Sequence, residues 1–110
     1  MVQENRRDPR YNVAVGASYW NGGDGRTMVK VSNVSARGCR FASDRLLETG
    51  SPIVVSFGNA ATVDAKVRWR VGKMHGVRFA EPLHPTVLDH IRLFLSEEPA
   101  LYAERAPLPA

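Results

Sequence analysis

The chain has 110 residues, enough for one domain with a modest core, and a formal net charge of +4 that favours an anionic partner. Its apolar residues never form the run of about 20 that a membrane-spanning helix requires, and residues 1–10 contain no hydrophobic signal segment. A single cysteine excludes an intrachain disulfide. These features predict a cytoplasmic protein that is not inserted in a membrane.

Residues 1–10 are rich in arginine. Arg6, Arg7 and Arg10 lie around Pro9, which disfavours an ordinary helix. A guanidinium is a planar fork of donors that matches phosphate oxygens and also stacks on flat rings. We therefore expect residues 1–10 to form an arginine-containing arm that contacts an anionic ligand.

Alternation of apolar and polar residues predominates from Tyr11 onward and predicts six antiparallel strands joined by short turns. They cover the segment from Tyr11 to the turn at Asn21, then about 26–34, 39–42, 53–57, 63–71 and 74–79. Gly58 and Asn59 are typical of a two-residue hairpin. Because a sheet of this kind removes its exposed edges by closing, we expect an all-β barrel.

The fifth predicted strand shows the clearest alternation. Trp69 and Val71 share one side with the apolar residues before them, so we expect Trp69 in the core, with a place in the lining of the ligand site as the alternative. Trp20, at the end of the first strand, is expected to serve in packing. Leu46 and Leu47 are expected to close one end of the core.

A polar turn joins the second and third strands. Asn33 and Ser35 supply compact donors and acceptors, and Gly38 lets a ligand approach the backbone closely. Arg37 and Arg40 flank Gly38, and Arg40 is the better candidate for a ligand contact because it lies on the strand that begins at the turn. The turn and the arm together predict a site for a small, flat, doubly anionic ligand such as a nucleotide.

After the sixth strand, the apolar spacing changes to that of an amphipathic helix. Pro85 suits its first turn, Thr86 and Asp89 resemble a weak capping box, and we expect the helix to end near Glu98. Residues 99–110 contain three prolines and little apolar pattern, which predicts a flexible tail.

The sequence contains no pattern typical of a catalytic centre. Cys39 has no candidate base near it in the sequence and is expected to be a small buried side chain. The three histidines lack the spacing of metal ligands. We therefore predict a binding protein and not an enzyme, with no metal ion and no cofactor.

The two motifs together resemble the signature of PilZ domains, which are bacterial receptors for the second messenger cyclic di-GMP. Arg6 and Arg10 match its Arg-x-x-x-Arg element, and after a spacer of 22 residues the turn matches its Asn-x-Ser-x-x-Gly element. The resemblance implies a six-stranded antiparallel barrel with a C-terminal helix over residues 11–98, against which the arm encloses the ligand. It implies that cyclic di-GMP contacts eight residues, namely Arg6, Arg7, Arg10, Asn33, Ser35, Arg37, Gly38 and Arg40.

Two positions differ from the residues found in many members of that family. Asn33 stands where an aspartate would accept two guanine N–H bonds, which predicts reduced affinity or base selectivity. Asn5 stands where an arginine is associated with binding a stacked pair of ligand molecules. Asparagine at this position favours one ligand per chain.

Three functions stay open at this stage. The leading hypothesis is a cyclic di-GMP receptor that acts as an adaptor, as a monomer or weak dimer, whose changed surface signals to an effector protein. The second is a small basic barrel that binds single-stranded nucleic acid, which is opposed by the expected burial of its aromatic residues, Tyr19, Phe57, Trp69 and Phe79. The third is a PilZ-like interaction module that binds no nucleotide.

Overall fold

The computed structural model describes residues 8–23 and 25–97. Within them six strands precede a short helix: β1 (Tyr11–Trp20), β2 (Thr27–Val34), β3 (Gly38–Ala42), β4 (Pro52–Phe57), β5 (Ala61–Val71) and β6 (Met74–Phe79). The helix α1 (Pro85–His90) continues into a five-residue π-helical segment, Ile91–Leu95. Most of the predicted arm and all of the predicted tail lie outside the described residues.

The six strands form a closed antiparallel barrel in the order β1-β2-β3-β6-β5-β4. Pairing of Ser18 with Ser56 and of Trp20 with Val54 joins β1 to β4 and closes the sheet. The fold predicted from the sequence is therefore confirmed. Because β6 lies between β3 and β5, that wall brings together residues that are far apart in the chain.

Because apolar and polar residues alternate along the strands, apolar side chains fill the interior of the barrel. Tyr19, Phe41 and Phe57 are among the largest of those that are completely buried. Tyr19 stacks on Phe41 with 5.4 Å between the ring centroids, and its hydroxyl forms a 3.1 Å hydrogen bond with Ser43 Oγ. The buried hydroxyl of Tyr19 thus keeps the partner that a tyrosine in a core requires.

His75 is also completely buried, and its ring stacks on Phe41. Its Nε2 accepts the Leu47 N–H at 3.0 Å, so Nδ1 carries the proton and donates to the Lys73 carbonyl oxygen at 2.8 Å. These bonds hold Leu47 against the core. Leu46 is 56% exposed, so the expectation that both leucines close the core is wrong for Leu46.

The helix begins with a different cap from the one predicted. His84 is the N-cap, and its Nδ1 accepts the Thr86 N–H at 3.1 Å. Asp89 instead forms an ion pair with Arg92, so the predicted capping box is wrong. The helical segment also ends earlier than predicted, at Leu95.

Ser96 and Glu97 fasten the end of this helical segment to β1. The Ala14 N–H donates to Ser96 Oγ at 3.0 Å, and the Glu97 N–H donates to the Ala14 carbonyl oxygen at 2.9 Å. Glu97 also forms a 2.6 Å ion pair with Lys30. Since the register of β1 against β2 shifts around Ala14, these bonds supply backbone partners where the sheet ladder is interrupted.

Candidate functional site

The turn between β2 and β3 is held by its own backbone and by the end of β6. The Ser35 N–H donates to the Gly38 carbonyl oxygen at 2.9 Å, and the Ser35 hydroxyl oxygen accepts the Arg37 N–H at 3.2 Å. The Phe79 N–H donates to the Arg37 carbonyl oxygen at 2.8 Å. A Cβ atom on Gly38 would overlap the Val77 carbonyl oxygen, so the close packing of the turn against β6 requires glycine.

One row of paired residues crosses the barrel wall beside this turn. From β1 to β5 the strand register places next to one another Asn12, Asn33, Arg40, Gly76 and Trp69. Residues that face each other on adjacent strands lie on the same side of a sheet. The row therefore brings polar and aromatic groups from both halves of the chain to one surface.

An open cavity of about 370 Å³, which we call the site cavity, lies over this row. Six of the eight predicted ligand residues line it: Arg10, Asn33, Ser35, Arg37, Gly38 and Arg40. The other two, Arg6 and Arg7, lie outside the described residues. As far as the structure describes them, the two sequence motifs meet at this cavity.

Arginine dominates the charge of the site cavity. Five arginines line it, two from the motifs and three from β3, β5 and β6: Arg10, Arg37, Arg40, Arg68 and Arg78. The described lining contains no aspartate or glutamate. Among the described residues, the only ion pair of these arginines joins Arg37 Nε to Asp8 Oδ2 at 3.0 Å. The cavity therefore attracts an anion, and Asp8 occupies one of its guanidinium groups.

Trp69 is 42% exposed and lines the site cavity, so the expectation that it lies in the core is wrong. Arg68 and Trp69 together oppose Gly76 on β6, which makes a β-bulge. The bulge interrupts the alternation of β5 and leaves both Trp69 and Val71 exposed. The indole lies so close to Gly76 that a Cβ atom there would overlap the ring. Gly76 thus provides the seat that fixes the orientation of Trp69.

Arg68, Trp69 and Arg78 line the site cavity but were not among the ligand residues predicted from the sequence. The basic residues at alternate positions of β5 are visible in the sequence, and so is Gly76, on which a ring can lie. Neither signal places these side chains beside the turn. That placement depends on β6 pairing with both β3 and β5, which local patterns do not reveal.

Asn33 is mostly buried in the wall of the site cavity. Its Nδ2 donates to Asn12 Oδ1 at 3.5 Å, across the β1–β2 pair. Ser32, directly before it, is skipped in the register between β2 and β3, and its hydroxyl oxygen accepts a bond from Arg40 Nε at 3.4 Å. The irregular register at Ser32 therefore positions both Asn33 and Arg40.

Comparison with known families gives a match over most of the chain. A family model of the PilZ domain matches residues 4–97. The chain belongs to the PilZ domain family. The matched segment includes both motifs, and the closed six-stranded barrel with a C-terminal helix is the fold of this family. PilZ domains are in general receptors for cyclic di-GMP. A search of curated proteins found no match to the chain.

The thiol of this PilZ domain is not suited to nucleophilic chemistry. Burial raises the pKa of Cys39 from 9.0 to about 12, so the thiol stays protonated at neutral pH. No three His, Cys, Asp or Glu side chains within the described residues are arranged to hold a metal ion. In the same part of the chain, no helix has the length and apolar character needed to cross a membrane.

Proposed function

We propose that this PilZ domain is a cytoplasmic receptor that binds cyclic di-GMP in the site cavity and catalyses no reaction. The observation that carries the proposal is the convergence of both motifs with an exposed tryptophan at one cavity that has five arginines in its lining. Cyclic di-GMP carries two phosphate charges and two flat purines. These features match guanidinium donors and an aromatic face, respectively.

The proposed contacts divide by chemistry. Arg10, Arg37 and Arg40 bind phosphate oxygens or guanine, and Arg6 and Arg7 of the arm complete this set. Asn33 and Ser35 hydrogen-bond a guanine edge. The Ser35 hydroxyl oxygen already accepts a backbone N–H, and its hydrogen has no acceptor within the described residues, so it is available to the ligand.

Trp69 adds a stacking surface that the motifs alone do not include. Its ring is exposed to the site cavity and is seated on Gly76, so its orientation is fixed before a ligand arrives. Stacking of a base on an aromatic side chain contributes about 1–3 kcal/mol. Together with a few charge-assisted hydrogen bonds of about 1.5–3 kcal/mol each, less the cost of ordering the arm, this supports micromolar affinity of about −8 kcal/mol.

The signal to an effector protein arises from the ion pair that the ligand displaces. The phosphates compete with Asp8 for Arg37, so binding breaks the ion pair between the arm and the turn. The arm then closes over the ligand, which changes the surface presented to an effector protein. The limited volume of the site cavity, together with Asn5 in the arm, favours one ligand per chain.

Calorimetric titration with cyclic di-GMP tests the proposal, with GTP and cyclic di-AMP as controls for selectivity. We expect Arg10→Ala and Trp69→Ala each to weaken binding by about tenfold or more, which is about 1.4 kcal/mol. Arg26→Ala is the matched control, because Arg26 is exposed and bonds Ser56 away from the site cavity. Wild-type affinity in both site variants would refute the assignment of the site. No heat from the wild-type protein up to about 100 μM ligand would refute the function.

A second candidate function is supported by Trp69. Burial of this side chain would disfavour binding of single-stranded nucleic acid, but Trp69 is exposed beside arginines. A steep fall in the affinity for a short oligonucleotide with rising salt, together with competition against cyclic di-GMP, would favour this alternative. Oligonucleotide binding that is weak and does not compete would exclude it from the site cavity.

A further inference from the structure

A second cavity of about 600 Å³ lies on the outer wall formed by β4, β5, β6 and the end of β1. None of the eight residues predicted from the motifs lines it. Its volume is within the range of small-molecule sites, which are mostly apolar concavities with a few converging polar groups. The second cavity therefore has the dimensions of a ligand site of its own.

The apolar side of the second cavity is formed before any ligand binds. Trp20 is 42% exposed, and its Nε1–H donates to the Gly23 carbonyl oxygen at 2.7 Å, which fixes the plane of the ring. Trp20 pairs with Val54 across β1 and β4, and Pro52 lies on the same strand as Val54. A fixed aromatic wall of this kind reduces the conformational cost of binding a flat or extended apolar group.

The other side of the second cavity carries three cations. Lys66 and Arg78 face each other directly across the β5–β6 pair, and Arg68 lies two residues beyond Lys66. No ion pair within the described residues involves any of the three. Like charges that face each other across two strands are destabilising, and an anion bound between them removes that cost. Among the described residues of the lining, Asp64 is the one carboxylate, and it lies beside the aromatic side.

We propose that the second cavity binds an amphipathic organic anion. The apolar body of the ligand lies against Trp20 and Pro52, and its carboxylate, sulfonate or phosphate group lies between Lys66 and Arg78. This site is distinct from the one proposed for cyclic di-GMP, because Trp20, Pro52 and Lys66 do not line the site cavity.

The two cavities share two side chains. Arg68 and Arg78 line both of them, and Arg78 faces Gly38 on one side and Lys66 on the other. If the proposed function is correct, cyclic di-GMP and the organic anion draw on the same guanidinium groups. Each ligand should then weaken the binding of the other by an equal factor. The second cavity would thereby regulate the receptor.

The two tryptophans of the chain allow the two cavities to be observed separately, since Trp20 lines one and Trp69 the other. In the full-length Trp69→Phe variant, titration with the fluorescent anion anilinonaphthalene sulfonate should change Trp20 emission saturably. Decanoate should displace the probe, whereas uncharged decanol should not. Equal displacement by decanol would refute the requirement for an anion.

Substitutions in the lining of the second cavity show whether the fluorescent probe binds there. In the wild-type background, Trp20→Ala and Lys66→Glu should each weaken probe binding by about tenfold. Lys73→Glu is the control for charge, because Lys73 is exposed and pairs with Asp44 outside both cavities. Thermal unfolding confirms that each variant is folded. Probe affinity unchanged in both Trp20→Ala and Lys66→Glu would mean adventitious binding and would overturn the proposal.

The Trp20→Phe variant separates failure of this inference from failure of the proposed function. Its remaining tryptophan, Trp69, should respond to cyclic di-GMP. A silent Trp69 would refute the nucleotide site and leave the result for the second cavity standing. Saturable binding at both cavities with no mutual effect would refute the coupling through Arg68 and Arg78.

Discussion

The wall of the barrel that carries the site cavity differs from the β4–β5 wall in its strand register. β4 and β5 pair without interruption over six consecutive residues, from Pro52 with Lys66 to Phe57 with Ala61. Among the described residues, the register shifts at three places, and each adjoins a residue of the site cavity or its row. The register thus shifts beside the site cavity in three strand pairs, whereas β4–β5, like β3–β6, stays regular.

Each irregularity changes which side chains reach the surface. In a regular strand, neighbouring residues point to opposite sides, so one face cannot present two consecutive side chains. The bulge on β5 exposes both Arg68 and Trp69, which places a cation beside an aromatic ring. A charged, flat ligand requires that combination. The bulge, which disrupts the strand pairing locally, thus places side by side the cation and the ring that define the site.

The largest effect is expected where glycine permits the backbones of β3 and β6 to approach. Gly38→Ala should lower the free energy of unfolding by about 1–3 kcal/mol, because the added Cβ meets a backbone oxygen that cannot swing aside. Gly16→Ala is the matched control, since a Cβ there meets nothing within 4 Å. Urea unfolding measures both variants. Equal stability of the two would contradict the close approach at Gly38.

An intermediate effect is expected at the seat of the tryptophan. A Cβ at Gly76 meets a side chain and not the backbone, and Trp69 is exposed enough to move away. Gly76→Ala should therefore weaken cyclic di-GMP binding by several-fold, up to about tenfold, because the Trp69 ring loses its fixed orientation. The free energy of unfolding should change little. Calorimetry and the fluorescence of Trp69 measure these effects. A variant with unchanged Trp69 emission and full affinity would show that the seat does not position the ring.

The smallest effect is expected at the exposed ion pair between the arm and the turn. Asp8→Asn should raise the affinity for cyclic di-GMP by about twofold, because the carboxylate no longer competes with a phosphate for Arg37. The gain should shrink at high salt. Asp44→Asn, which breaks the exposed pair with Lys73, is the control. Weaker binding in Asp8→Asn would show that the pair docks the arm in a productive position.

Local sequence pattern was sufficient to predict the six strands and the closed barrel, because period-two alternation is retained over most of each strand. It failed at Trp69 and Val71, since a single unpaired residue reverses which side the following residues face. It also failed at the helix cap, where the His84 ring takes the role that the pattern assigned to Thr86. Both errors have the same cause: a single local feature, a bulge or a side-chain cap, overrides the structure that the residue pattern favours on average.

The candidate site divides in a similar way. Arg10, Asn33 and Gly38 belong to motifs that can be read along the chain, and the structure places all three at one cavity. Arg68 and Arg78 reach that cavity through the strand order, in which β6 pairs with β3 across a large separation in sequence. Topology, and not motif, supplied these two guanidinium groups.

The bonds that fasten Ser96 and Glu97 to Ala14 have a consequence for the connectivity of the barrel. They hold the last described residues beside the strand that opens the barrel. Contact between the last element of a fold and its first strand favours circular permutation. A chain cut in the turn at residues 58–60, with a linker between residues 97 and 8 long enough to span from Glu97 back along β1, should keep every strand beside its present neighbours. The order of the strands in space is therefore independent of where the chain starts.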